Sequence, residues 1–278
     1  RINPLDTPDA MQDLVAVVQH RPDGIMLPKA TPDEARLLGH YLTALEAAAG
    51  LEAESIRLIV VATETAPALF RLGDYAGVPR LDALTWGAED LADSLGAQSN
   101  KDFEGEFAFT YKLARSLCLL GAVAAEVVPV ETIDTNFRDL VALRKRAIEV
   151  RRQGYRGMLA IHPAQVPVIN EAFTPTEEEV AEAREIVDLF AANPDAGTIG
   201  WKGGMLDRPH LSRARQLLAQ VTNAIDRLPL RLREALVLVA IEGRSHGEVA
   251  KLLGVTEKSV ETRVYRARQR LRNKIDFL

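Results

Sequence analysis

Residues 56–67 read Ile56-Arg57-Leu58-Ile59-Val60-Val61-Ala62-Thr63-Glu64-Thr65-Ala66-Pro67. The run from Ile56 to Ala62 is short and β-rich, so it reads as a strand. It stops at a polar Thr-Glu-Thr, and a helical pattern follows. Working outward, the same unit recurs at Gly24–Leu27, Ala83–Trp86, Val127–Ile133 and Gly157–Ile161, with Arg1–Asn3 reading as the tail of one more strand. Strands alternating with amphipathic helices imply parallel βαβ units. Thr31-Pro32-Asp33-Glu34 and Thr176-Glu177-Glu178-Glu179 fit capping boxes, the first with Pro at the opening helical position. About six units result, two short of the eight that close a barrel. An open doubly wound sheet is the other solution, but no GxGxxG follows any strand to support a dinucleotide fold. The expected class is α/β: an incomplete TIM-like (β/α) barrel with a C-terminal all-α helix-turn-helix domain.

Charge changes sign near residue 220. Residues 1–220 carry 22 Lys and Arg against 32 Asp and Glu, net −10, and residues 221–278 carry 12 against 7, net +5, giving −5 for the 278-residue chain. A reversal of this kind predicts two modules with different partners, the basic one suited to nucleic acid. The expected domains are 1–220, ending in a Gly-rich loop at Gly197–Pro209 and a helix to about Gln220 (a lid segment over 197–220), and 221–278. No apolar stretch has the length of a membrane span; the longest, Leu117–Val130, is broken by Glu126. A single cysteine, Cys118, sits among leucines and reads as a buried thiol, and a cytoplasmic location is the natural expectation.

Two carboxylates stand where strands end: Glu64 after Arg57–Thr63, and Asp90 after Leu84–Glu89. In a parallel barrel those ends build the active site. Two carboxylates plus waters suit octahedral Mg²⁺ or Mn²⁺ with positions left for substrate oxygens. On spacing alone, a helix cap at Glu64 and a solvated loop residue at Asp90 remain the plainer reading.

The basic module reads as helices. Leu228-Pro229 opens a segment, Arg231–Glu242 is apolar-striped, and Gly243 ends it. Ser245-His246-Gly247-Glu248 is a capping box for a short helix through Leu253; Gly254-Val255 turns, and Thr256 caps a long final helix. Val260, Val264, Ala267 and Leu271 share one face of it, while Lys258, Glu261, Thr262, Arg263, Arg266 and Arg270 lie on the other side. Short helix, Gly turn, long basic helix is the helix-turn-helix arrangement.

The wording of both parts carries a resemblance. Arg1-Ile2-Asn3-Pro4-Leu5-Asp6, Leu27-Pro28-Lys29, Thr63-Glu64-Thr65-Ala66, Gly87-Ala88-Glu89-Asp90-Leu91, Ile161-His162-Pro163-Ala164-Gln165 and Met205-Leu206-Asp207-Arg208-Pro209-His210 occur in this order. Together they resemble the citrate lyase β-subunit-like CoA-ester lyases of the HpcH/HpaI aldolase family over residues 1–219. The resemblance implies Glu64 and Asp90 as Mg²⁺ ligands and Arg1 as the group holding the oxygens of a 2-hydroxy or 2-oxo acid. It implies Asp207 as an acid or base on a lid segment, with Lys29 and His162 near a CoA thioester. The implied reaction is reversible cleavage of a 3-hydroxyacyl-CoA, of malyl- or citramalyl-CoA type, to acetyl-CoA and a 2-oxo acid, in a homo-oligomer. The family's usual opening strand–helix–strand, with its acidic motif, does not precede Arg1 here. The expectation is therefore that this chain by itself has little lyase activity.

Leu228-Pro229, Arg233-Glu234-Ala235-Leu236, Glu248-Val249-Ala250, Leu253-Gly254-Val255 and Val260–Arg268 resemble region 4 of bacterial extracytoplasmic-function sigma factors over residues 224–275. This implies DNA and RNA polymerase as partners. Lys258, Ser259, Glu261, Thr262 and Arg263 would face base edges, and Arg266, Arg268 and Arg270 would grip phosphates. A composite results, a lyase barrel joined to a DNA-binding module. The alternative is a transcription module whose barrel is an inactive fragment or a CoA-ester sensor.

Overall fold

The computed structural model describes residues 1–273. Two compact units form, one from Arg1 to Gln165 and a second from Val166 onward. The first runs α1 (Ala10–Val18), β1 (Gly24–Leu27), α2 (Pro32–Ala48), β2 (Arg57–Val61), α3 (Ala66–Leu69), β3 (Leu81–Thr85), α4 (Glu89–Leu95), α5 (Phe109–Ala124), β4 (Val128–Glu131), α6 (Leu140–Arg152) and β5 (Gly157–Met158). Its five strands stand in the order β1-β2-β3-β4-β5, and every pair is parallel. Sequential order is that of an arc of a (β/α) barrel, whereas a doubly wound sheet reverses direction partway. All five C-terminal ends therefore lie along one edge. Arg1–Asn3, expected as a strand tail, stays outside the sheet and meets β1 through Ile2, whose N–H donates to the Met26 carbonyl at 3.2 Å.

The core is aliphatic. Leu38 and Leu42 of α2, Leu58 and Val60 of β2, Leu84 of β3, Leu91 of α4 and Leu143 of α6 are fully buried, and Cys118 is buried as expected. One ion pair is sunk into this core. Arg80 forks onto Glu46, Nη1 to Oε1 at 2.8 Å and Nη2 to Oε2 at 2.7 Å, and each side chain is 1% exposed. The backbone N–H groups of Ile56 (2.9 Å) and Glu54 (3.0 Å) fill the remaining carboxylate positions. This knot ties α2 to the entrances of β2 and β3, at the end of the sheet away from the strand C-termini.

The second unit holds α7 (Gln165–Phe173, from Val166), α8 (Glu177–Ala192), β6 (Thr198–Trp201), β7 (Gly204–Asp207), α9 (Arg208–Asp226), α10 (Leu230–Leu236), α11 (His246–Leu253) and α12 (Glu257–Asn273). The Gly-rich segment expected as a loop is an antiparallel hairpin, Thr198 opposite Asp207 and Trp201 opposite Gly204. Its two-residue turn needs positive φ at both positions, and Lys202 (47°) and Gly203 (79°) supply it. Glu185 of α8 clamps the hairpin, accepting from Trp201 Nε1 at 2.7 Å and Lys202 Nζ at 2.9 Å. The expected boundary at residue 220 falls inside α9. Leu211 and Ala214 at one end join a core with Ala183, Ile186, Phe190 and Leu206, while Ile225 at the other packs on the core of the helices that follow.

That second core contains Leu228, Ala235, Leu236, Val249, Ala250, Val260, Val264 and Ala267, with Leu271 against it. Ser245 caps α11 as a capping box, Gly254 closes it at φ 64°, and Thr256 Oγ1 accepts from Ser259 N at 3.2 Å to open α12. The segment expected as one helix to Glu242 is α10 followed by a π-helical turn over Val237–Ile241.

Candidate active site and nucleic-acid interface

At the C-terminal edge of the sheet, β1, β2 and β3 each deliver one charged group. Past β1, Lys29 adopts a left-handed backbone (φ 50°), rare for a side chain of its kind. Its N–H donates to Glu64 Oε2 at 2.7 Å and its ammonium reaches Asp90 Oδ1 at 3.0 Å. Glu64 lies three residues beyond β2 and is 4% exposed. Asp90 occupies the first turn of α4, where a carboxylate is favoured by the helix dipole. The Arg1 guanidinium lies between the two acids, Nη2 3.8 Å from Glu64 and 3.9 Å from Asp90. Four residues expected at the site from separate motifs thus meet in one cluster.

Electrostatics divide the two carboxylates. Burial, only partly offset by the Lys29 N–H, pushes Glu64 up to about 7, and its hydrogen bond to Asp90 adds to the rise. Burial acts upward on Asp90 too, but the hydrogen bond from Lys29 and the one shared with Glu64 outweigh it and hold Asp90 below the usual range. The two carboxyls are thus pushed apart, Glu64 toward the neutral form and Asp90 toward the charged one. Among the described residues no group of three or more Asp, Glu, His or Cys converges. A cation here would therefore have two protein carboxylates and open positions, the oxygen-only environment that Mg²⁺ and Mn²⁺ accept. A buried carboxylate left neutral up to about pH 7 is one that such a cation would ionise, so the donor set fits.

Two further residues hold the site and carry little sequence signal. Thr63, fully buried, accepts the N–H of Gly87 at 3.1 Å, clasping the end of β2 to the loop after β3. Glu131, at the end of β4 and fully buried, accepts from Trp86 Nε1 at 2.7 Å and Arg115 Nε at 2.6 Å. A lone acid inside the largely apolar stretch Val127–Ile133 is the one sign of it. Gly87 abuts Glu64 so closely that a Cβ there would lie 2.9 Å from its Cγ and 3.1 Å from Oε1.

His162 sits beyond β5, exposed, stacked on Phe137 (centroids 4.8 Å apart, planes 19°), its Nδ1 accepting from Ala164 N at 3.1 Å. None of these contacts reaches Glu64 or Asp90. Asp207 belongs to the other compact unit. There it caps α9, with Oδ1 accepting from His210 N at 3.3 Å and in close contact with His210 Nδ1. The His210 hydrogen bond holds it below the usual carboxylate range.

On α12, Lys258, Ser259, Thr262, Arg263 and Arg266 line one cleft. Glu261 is tied to Lys258 at 3.0 Å, and Thr262 Oγ1 donates back to the Lys258 carbonyl at 2.8 Å. Arg270 is exposed. Arg268, expected on a phosphate, pairs with Glu177 of α8 at 3.5 Å. Arg231 of α10 faces the same cleft, and sequence reading missed it.

A sequential parallel sheet with a pair of carboxylates at its strand ends, followed by helices in a helix-turn-helix arrangement, defines an α/β enzyme fold joined to a helix-turn-helix module. The family model described as HpcH/HpaI aldolase/citrate lyase matches residues 1–163, and the chain belongs to that family of carbon–carbon lyases. The model of Sigma-70, region 4 matches residues 218–271. A citrate lyase subunit beta-like protein of Mycobacterium tuberculosis (strain ATCC 25618 / H37Rv) is 29% identical over 224 residues, covering 81% of this chain and 76% of that one. Mitochondrial citramalyl-CoA lyase of Mus musculus is 29% identical over 238 residues, 80% of this chain and 68% of that one. The solved structure of the protein CitE from Mycobacterium tuberculosis, in complex with magnesium, acetoacetate and coenzyme A, superposes with a TM-score of 0.63 at 28% identity, covering 79% of this chain and 76% of that one.

Proposed function

We propose that the chain is a Mg²⁺-dependent lyase for a 3-hydroxyacyl-CoA of malyl- or citramalyl-CoA type, releasing acetyl-CoA and a 2-oxo acid, and that its C-terminal module binds DNA. The convergence of Arg1, Lys29, Glu64 and Asp90 at three strand ends carries the lyase reading. In the reaction the 3-hydroxyl loses its proton and the C2–C3 bond breaks. C3 becomes the carbonyl of the 2-oxo acid, the bond pair passes to the thioester enolate, and a proton then returns to C2 to give acetyl-CoA. Glu64 and Asp90 would hold Mg²⁺, which supplies a Lewis acid for the oxygen that gains charge. Arg1 binds the acid's oxygens in a planar fork that Lys cannot offer. Lys29 fixes Asp90 and orients Glu64 through its own N–H. Asp207 is assigned the proton at the acetyl carbon on its family motif, with His210 as its partner. His162, beside Phe137, is assigned to CoA. The exposed Leu113, Leu117, Leu120 and Val123 along α5 support self-association.

The test is acetyl-CoA release from malyl-CoA and citramalyl-CoA by the chain, with and without EDTA, and by Glu64→Gln. Release that both treatments abolish supports the reading. Release indifferent to both, or no Mg²⁺-dependent binding of either ester, refutes it.

For the second module, the helix-turn-helix with Lys258, Arg263 and Arg266 on its second helix supports binding in the major groove, with RNA polymerase as a further partner. Arg263→Ala should weaken binding to duplex DNA and leave acetyl-CoA release unchanged; an effect on both would overturn the two-module reading.

A further inference from the structure

Between α10 and the N-terminal half of α12 lies a cleft of about 440 Å³. Three arginines face it, Arg231 from α10 and Arg263 and Arg266 from α12, beside Lys258, which is paired with Glu261 at 3.0 Å. Elsewhere in the same module arginines meet acids: Arg233 lies 3.7 Å from Asp226 and Arg244 2.8 Å from Glu242. Three guanidinium groups gathered in one concavity raise the free energy of the empty state, and an anion seated there lowers it. The hydroxyls of Ser259 and Thr262 share the wall and add neutral hydrogen-bonding groups. This is the chemistry of a phosphodiester, a single negative charge with two exposed oxygens.

We infer that Arg231 is a phosphate clamp. When α12 enters the major groove of duplex DNA, α10 closes over the flanking strand and Arg231 neutralises one backbone phosphate that α12 by itself does not. The inference rests on the reading of the C-terminal module as DNA-binding. It adds a contact from a helix outside the helix-turn-helix pair, and the contact is indifferent to base sequence.

The test uses the full chain and two fluorescein-labelled 30-bp duplexes of unrelated sequence, with affinity measured by anisotropy from 50 to 200 mM KCl. Each neutralised phosphate contributes about 0.9 to the slope of log affinity against log salt. Arg231→Gln, which keeps a good helix former, is expected to reduce that slope by about 0.9 on both duplexes. The affinity lost between 50 and 200 mM then becomes about 3-fold smaller than for the parent. Arg231→Lys, which keeps the charge, should restore the slope. A parental slope for a folded Arg231→Gln overturns the clamp while leaving the DNA reading intact. Failure of the parent chain to bind either duplex overturns the DNA reading and the clamp with it.

Discussion

Gly87→Ala isolates the geometry of the proposed metal site from its chemistry, because it alters no charge and no ligand. A Cβ on residue 87 would stand 2.9 Å from Glu64 Cγ, 3.1 Å from Oε1 and 3.4 Å from Cδ. Carbon atoms in contact prefer at least about 3.5 Å, so the Glu64 side chain must retreat by about 0.6 Å. It has little room to do so, being 4% exposed and tied to the Lys29 N–H at 2.7 Å. Gly87 is itself fixed through its N–H to Thr63 at 3.1 Å. Relief by an off-rotamer Glu64 costs about 0.5–1.5 kcal/mol, at or below the low end of the 1–3 kcal/mol typical of overpacked cores, so the fold survives. The metal does worse, since ligand distances tolerate only about 0.2 Å. Mg²⁺ affinity should therefore fall by about tenfold or more, the loss typical of disturbing a group that orients a ligand. Isothermal titration with MgCl₂, beside a thermal melt and the duplex-binding assay, reads all three quantities. A variant that binds Mg²⁺ within twofold of the parent would refute the claim that Glu64 is a ligand held in place by Gly87. A variant that also loses DNA binding would point to general damage instead.

Other outcomes follow from the same structure. Burial pushes the Glu64 carboxyl up to about 7, so Mg²⁺ held by Glu64 would displace a proton below that value. Mg²⁺ affinity should rise about tenfold per pH unit from 5.5 to 6.5, level off above 7, and lose this dependence in Glu64→Gln, as calorimetry in two buffers will report. At Glu46 burial acts upward, but the Arg80 hydrogen bonds and two backbone N–H groups prevail and take the carboxyl down to about 2 from 4.5. A depressed acid stabilises the fold fully above its unfolded value and loses that contribution as pH falls through the folded one. About 3 kcal/mol should therefore vanish between pH 4.5 and 2, and acid titration of Glu46→Gln should lack that component. Glu46→Ala, which leaves Arg80 buried without its partner, should cost about 3–5 kcal/mol in urea melts. Gly121→Ala would set a Cβ 2.7 Å from the Leu72 carbonyl oxygen, a backbone atom with no rotamer to change, and should cost about 1–3 kcal/mol in the same melts.

Much of the first unit was legible because buried parallel strands are continuous apolar runs, and the run at Ile56–Ala62 has no helical reading of comparable quality. The carboxylates at 64 and 90 were visible as acids just past such runs, and family wording raised them above the plainer reading. The Lys29 backbone was not legible: nothing local favours φ 50° at a lysine, and the conformation is imposed by what its N–H and ammonium reach across 35 and 61 residues of chain. Glu131 escaped for a related reason, since its partners Trp86 and Arg115 lie on other elements. The β6–β7 hairpin was read as a loop because Lys-Gly replaces the usual Asn-Gly turn and each strand is only four residues.

The charge reversal at residue 220 marks a change of composition, and α9 explains why it is not a change of structural unit. Leu211, Ala214, Leu217, Leu218 and Ile225 are apolar positions on one continuous 19-residue helix, and they serve two cores in turn. A helix of that length spans about 28 Å without a break. Its first residue is capped by Asp207 at the foot of the hairpin, and Ile225 in its last turn packs on the core of the basic module. A helix is a poor hinge, because bending it sacrifices i to i−4 hydrogen bonds that a Gly- or Ser-rich tether never had. The family match ends at residue 163, close to where the first compact unit ends, and the sigma match begins at 218, inside α9. Residues between the two matches therefore belong physically with the helix-turn-helix. Any motion of the hairpin that carries Asp207 has to be transmitted through, or absorbed by, the helix on which the helix-turn-helix is built.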